Sequence, residues 1–309
     1  MVNIGIRLSV AVLSLFMTSL AFSQVESGRS YMEAFIANGS AIQNYDVGYR
    51  HWVGYYVPEH KDRPASDEAN KIDGAEYLAI GRIVVDRKSN WVFLVREIQS
   101  SLSGKQKTTL ECLCWRNGME SVISTQFTVI SRPCTFERFC KPHQIPILER
   151  TTSEPLKLVT DSIVADNDKT LRMYDASTAV YHPDGSTTVS TRSRQGSFLA
   201  KMTFDPVTSM PIHWTAGNCD RDSNSLDEVH YNAHPRFEKH KELYRIVSTE
   251  YNNPSPIGKI SDAKSLGNCQ FKWYQFNEDS IAFPNEKGTA FDLEEASEFL
   301  KATKLELTK

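Results

Sequence analysis

Apolar and polar positions alternate with a period of two through most of the chain. Between residues 45 and 55, the side chains of Tyr45, Val47, Tyr49, Val53 and Tyr55 point to one side, as on a half-buried strand. Tyr77–Val85 and Trp91–Ile98 read as two strands about a turn at residues 86–90. Thr108–Trp115 and Glu120–Ile130 repeat the arrangement about Arg116-Asn117-Gly118-Met119, whose Asn-Gly supplies the positive φ angles of a tight hairpin. Residues 179–182 and 187–192 flank Pro183-Asp184-Gly185-Ser186, and residues 198–204 and 210–214 flank Asp205-Pro206. Leu243–Tyr251 adds a further strand. The pattern predicts a mainly β protein with about ten antiparallel strands, while Pro58–Gly74, polar and without periodicity, reads as a long exposed loop.

Helical spacing is confined to short stretches. Residues 31–42 place Met32, Phe35 and Ile36 near one face, residues 155–164 carry a weaker signal, and the end interleaves Phe291, Leu293, Phe299, Leu300 and Leu305 with charged residues. Three segments follow: a leader over 1–23, a β domain with a helical lid over 24–251, and an extension over 252–309 ending in a helix.

The leader has the build of a secretion signal. Arg7 precedes the apolar run Leu8–Met17, and Ala21-Phe22-Ser23 ends in the small residues a signal peptidase reads, so cleavage is expected after Ser23. The run is shorter than the roughly 20 residues a bilayer span needs. A soluble product, periplasmic or secreted and not membrane-spanning, is expected.

Export changes the reading of the cysteines. Cys112, Cys114, Cys134, Cys140, Cys219 and Cys269 form an even set in a compartment that permits disulfides, so all six are bridge candidates. Cys112 and Cys114, same-face neighbours about 6.6 Å apart on a strand, do not suit a mutual bridge. Cys134 with Cys140 and Cys219 with Cys269 are the nearest plausible pairs. No Cys-x-x-Cys spacing points to zinc or redox chemistry.

With 35 basic and 38 acidic residues among 309, the formal charge is −3, and no basic stripe suggests nucleic acid. No nucleophile elbow, phosphate-binding glycine loop, dinucleotide fingerprint or His-Glu-x-x-His pair occurs, so no cofactor, metal site or catalytic residue is expected. Asp227–Pro235 reads as a solvated polar loop: His230 and His234 would share a metal only on a helix, which Pro235 opposes. Asp46 and Asp86 sit near strand ends, where acids usually form turns. Asn38-Gly39-Ser40 matches the glycosylation acceptor pattern.

A leading helix, a strand opening Asn44-Tyr45-Asp46-Val47, and hairpins with Arg82-Ile83-Val84-Val85-Asp86 and Trp91-Val92-Phe93-Leu94-Val95 resemble the periplasmic outer-membrane lipoprotein carriers. Residues 196–211, with Phe204-Asp205-Pro206 before Met210-Pro211, are similar to the late strand, turn and strand of that group. The overlap runs from Tyr31 to Tyr251; the six cysteines and the extension from Asn252 depart from it. The resemblance implies a strongly curved, unclosed antiparallel barrel with helices in its mouth. It also implies that a lipid or lipoprotein acyl chain, or another apolar ligand, is held on the concave face, with Tyr45, Tyr49, Trp52, Trp91 and Phe93 as candidate lining residues. The competing expectations are a secreted hydrolase with an unidentified acid pair and a cell-surface structural or assembly protein.

Overall fold

Strand β1 (Asn44–Tyr56) lies at the middle of one antiparallel sheet and is flanked by strands from opposite ends of the chain. The computed structural model describes residues 30–56, 71–102, 105–135, 139, 179–192, 198–220, 225–253, 264–285 and 287–307, apart from 36 and 40. The leader, most of the 58–74 stretch, Cys140 and residues 155–164 therefore lie outside the described residues.

From β1 the first wing runs outward as a meander through β2 (Lys71–Asp86), β3 (Trp91–Leu102), β4 (Lys105–Arg116), β5 (Met119–Ser124) and β6 (Phe127–Pro133). On its other side β1 pairs with β13 (Lys264–Phe276), followed by β12 (Leu243–Asn253), β11 (Glu228–His240) and β10 (Pro211–Asn218). The second wing ends in β9 (Phe198–Phe204), β8 (Thr187–Arg192) and β7 (Val180–Tyr181). This is a 13-stranded curved sheet whose edges, β6 and β7, are not joined, so the barrel is unclosed as expected.

The turns are those the sequence requires. Asn117 and Gly118 adopt φ of 50° and 80°, and Asn90, Gly185 and Ser209 are also left-handed. Asp205 accepts from the backbone N–H groups of Val207 and Thr208 at 3.0 and 2.7 Å, fixing the Asp-Pro turn.

Three predicted elements differ. Glu120–Ile130 is two strands, because Ser124 accepts the Gln126 N–H and turns the chain. Lys71–Gly74 belongs to β2 rather than a loop. All of Asp227–Pro235 except Asp227 is part of β11: Ala233 and Pro235 point inward and Asn232 and His234 outward, so polar composition conceals its period of two. Pro235 is tolerated because the ladder to β10 ends at Ala233, leaving no partner for the N–H that proline lacks. The segment after Tyr251, read without a strand, supplies β13.

The sheet has two faces with different covers. On the inner face, Val47, Tyr49, Ile83, Leu94, Leu113 and Phe271 form one cluster, and Val189, Met202, Phe204 and Trp214 form another; Phe237 packs against both. The helical residues 30–35 bring Met32 and Phe35, 1% and 2% exposed, into the second cluster. This helix is tied down by Asn38, whose amide donates to the Tyr244 carbonyl at 2.8 Å and accepts from its N–H at 2.7 Å. The side chain of the glycosylation-pattern asparagine is thus engaged by β12 in the folded protein.

The outer face of the first wing is covered by the C-terminal segment. Its helix, Leu293–Leu307, begins with a reciprocal cap: Asp292 accepts from the N–H groups of Glu294 and Glu295, and Glu295 accepts from the Asp292 N–H. Ala296, Leu300 and Thr303 face the sheet. At Gly48, a Cβ would lie 2.7 Å from the Thr303 methyl, so glycine is what lets the helix approach β1. Arg82 pairs with both oxygens of Asp46 and lies over the rings of Tyr274 and Phe299, clamping sheet to helix.

Candidate functional site

The inner face combines apolar side chains with a small set of deeply placed polar groups. Gly81 has no side chain because the Tyr49 ring occupies its space; a Cβ there would sit 2.3 Å from the phenol carbon. Burial pushes the Tyr49 phenol far above its ordinary value, and the nearby Arg96 charge offsets this in part. Arg96 and Glu111, on neighbouring strands, form an ion pair at 2.7 Å with side chains only 8% and 13% exposed.

Across the middle of this face small residues are interspersed with larger ones. His51 lies between Ala79 on β2 and Cys269 on β13, and Cys269 faces Thr249 on β12. In the next row Tyr77 faces Val53, Val53 faces Gly267, and Tyr251 stands between Gly267 and Ala233 in register; Val53 and Ala233 form a cluster of their own, with Tyr77 packed against it. Alanine, glycine, cysteine and threonine thus alternate with larger residues along the middle strands, Ala79 and Cys269 lying within the first cluster.

His51 is the basic side chain of these rows. It meets the Tyr77 ring edge to face at 5.4 Å, and burial lowers its imidazole from 6.5 to about 4. Below pH 6.5 the unfolded chain takes up a proton that the folded chain refuses, so stability falls as pH drops from 6.5 to 4. The His51 contribution lost is roughly 3 kcal/mol. Urea titrations at pH 7.0 and 4.5, which span most of that window, should show His51→Gln losing about 2 kcal/mol less than the parent; equal losses would refute this assignment.

The five aromatic residues predicted to line one cavity are not brought together. Tyr45 and Tyr49 are on the inner face, Tyr45 packing edge to face with Trp273 at 5.8 Å. Trp52 is on the outer face of β1. Trp91 and Phe93 are also on the outer face, buried under the C-terminal segment against Phe283.

The outer face of the second wing carries a polar trough. A depression of about 830 Å³ is bordered by His182, Thr188, Lys201, Thr203 and His213. It meets a second, of about 280 Å³, at His234, and Trp52, Glu250, Asn252 and Asn268 border the latter. The His213 and His234 rings stack at 4.4 Å, and His213 shares a 2.7 Å hydrogen bond with Asn232. Thr188 links His182 to Thr203 through two 2.7 Å hydrogen bonds. Burial, with the neighbouring His213, holds the His234 imidazole below its ordinary value. This site is not visible in the sequence because the polar composition of β11, which contributes Asn232 and His234, hides its strand period.

No family model matches the sequence, and no curated protein matches it. Among solved structures, a DUF1329 family protein from Desulfovibrio piger is similar over 84% of this chain and 95% of its own, with 7% identity and a TM-score of 0.40. LprF from Mycobacterium bovis is similar over 84% of this chain and 97% of its own, with 8% identity and a TM-score of 0.30. A beta-barrel-like DUF1849 protein from Brucella abortus is similar over 76% of this chain and all of its own, with 8% identity and a TM-score of 0.28.

The remaining candidates have structural partners. Asp46 holds Arg82, and Asp86 accepts the Ser89 N–H at 3.1 Å in the β2–β3 turn. His230 and His234 lie four residues apart on a strand, about 13 Å, too far to share a metal. No group of three His, Cys, Asp or Glu side chains converges on a metal site among the described residues.

The five described cysteines form no disulfide with one another. The Cys219–Cys269 bridge expected from the sequence does not form: Cys219 follows β10 and Cys269 is on β13, three strand spacings away along the sheet. Cys112 and Cys114 are buried thiols facing the C-terminal segment, and the Cys112 sulfur accepts the Phe291 N–H at 3.1 Å. Burial pushes Cys114 up to about 12, with Arg116 opposing, and pushes Cys112 higher still, so neither is a nucleophile in the fold.

Proposed function

We propose that this protein is an exported, soluble binding protein that holds an apolar ligand, such as a lipid acyl chain, against the inner face of its unclosed barrel. The supporting observation is an unclosed sheet whose inner face carries two apolar clusters, with the small residues Gly267 and Ala233 among the positions of its middle strands. Small side chains leave room that larger ones would fill, and apolar walls with few polar groups are what an acyl chain requires. Tyr49 and Val53 border that space, and the leading helix at its side is the element that moves to admit ligand. Delivery follows cleavage after Ser23, which places the chain in the periplasm or outside the cell. No helix among the described residues is long and apolar enough to cross a membrane.

The experiment is uptake of a fluorescent fatty acid by the chain from Gln24 onward, together with mass spectrometry of an organic extract of the purified protein. Saturable uptake, abolished by Ala233→Trp with an unchanged circular dichroism spectrum, is the expected result. An empty extract and no uptake by the parent protein would exclude the reading.

A further inference from the structure

We propose that the outer trough is a second binding site, separate from the inner face, and that its ligand is a neutral oligosaccharide lying across the strands. The trough is organised by sheet register. Trp52 faces Asn268, Asn268 faces Glu250, and Glu250 faces His234 on four successive strands. The row continues by the stacking of His234 on His213, which faces Thr203, itself facing Thr188. At about 4.8 Å per strand these positions span roughly 29 Å in one line. A line of hydrogen-bonding groups at regular spacing suits a ligand that repeats its own hydroxyl groups along a chain.

Charge selects among polar ligands. Among the described residues, the acids Asp184 and Glu250 stand against one lysine, Lys201, along the borders of the two depressions, so these borders hold no surplus of cations that would favour a phosphate or polyanion. Side chains able to hold a metal do not converge among the described residues. Apolar area is limited to Val180, Pro183 and Ile212 at one end and Trp52 at the other. Amides, imidazoles and hydroxyls dominate between them, each able to donate or accept, as a neutral polyol demands.

Two local features point to a ligand rather than a merely solvated surface. The Oδ1 atoms of Asn252 and Asn268 are buried and accept no hydrogen bond from the described chain. Beside them, the Trp52 indole lies over Gly54, where a Cβ would sit 2.7 Å from the six-membered ring. Glycine at that position lets the indole fold along the strand as a platform bordering the depression, and the apolar C–H face of a hexose stacks on such a surface.

The test uses the chain from Gln24 onward and neutral hexasaccharides, namely an α-glucan, a β-glucan, a mannan and a chitin oligomer, followed by calorimetry and tryptophan fluorescence. At least one should bind with a 1:1 stoichiometry, with little change between low and high salt, because no ion pair is involved. Trp52→Ala should weaken binding at least tenfold, Trp52→Phe should retain most of it, and Asn252→Ala with Asn268→Ala should weaken it while fluorescent fatty acid uptake stays as in the parent. No binding by any of the four at millimolar concentration would overturn the proposal. So would binding that Trp52→Ala leaves unchanged, or selective binding of a sulfated polysaccharide that salt abolishes.

Discussion

Replacing Phe93 with alanine is expected to lower the free energy of unfolding by about 3–5 kcal/mol, the range for truncating a large aromatic in a packed core. Phe93 is fully buried on the outer face of β3 and meets three rings of the C-terminal segment edge to face: Phe291 at 4.8 Å, Phe283 at 5.6 Å and Phe299 at 5.8 Å. Its removal takes a partner from each. The segment should then come away from the sheet before the sheet itself unfolds, so limited proteolysis should cut near residue 290 faster in Phe93→Ala than in the parent. Urea denaturation measures the stability change; a loss below about 1 kcal/mol would mean that the C-terminal segment contributes little to the core.

Arg96→Met is expected to cost about 3–5 kcal/mol as well, for a different reason. The arginine and Glu111 are both nearly buried, and the guanidinium donates through Nε and a terminal nitrogen to one carboxylate oxygen at 2.8 and 2.7 Å. Removing only the cation leaves a carboxylate in the inner wall without its counter-charge. The double variant Arg96→Met with Glu111→Leu should regain most of the loss, since a buried pair replaced by apolar groups of similar volume is often neutral or better. If the double variant were as unstable as the single, the loss would lie in the packing of the Arg96 stem rather than in an orphaned charge.

Much of the sheet was legible because its strands carry a strong period of two and its turns carry diagnostic residues. β1 to β4 show β-branched and aromatic residues in alternation, and Asn117-Gly118 marks a hairpin with the required positive φ angles. β11 and β13 were harder. Their outward positions are His, Asn, Lys and Gln, and their inward ones include Ala, Gly, Cys and Pro, so the contrast on which periodicity depends is low. The strand count rose from about ten to thirteen for that reason and because a serine-capped turn divides β5 from β6.

The candidate site was less legible, and register explains why. Alternation establishes that Trp91 and Phe93 share a face, but not whether that is the face of Tyr49. The pairing of Val85 with Val92, both inward, settles it and sends Trp91 and Phe93 outward. The same limit applies to the cysteines, for which composition suggested bridges and strand order separates Cys219 from Cys269. The polar trough depends on the lateral alignment of residues from strands far apart in sequence, which no local pattern encodes.

The pairing of β1 with β13 bears on how such a chain reaches its fold. Tyr45 is matched with Phe276, so the contact that unites the two wings joins the early and late parts of the sequence. Each wing is a meander and can zip locally, but the seam between them closes against the loop entropy of nearly everything in between, which makes it the slow step. A chain synthesised from its N-terminus presents β1 long before its partner β13 emerges. Until then one edge of β1 is an open template for pairing with another chain, and the seam rather than either wing is where assembly in a crowded compartment is most exposed to error.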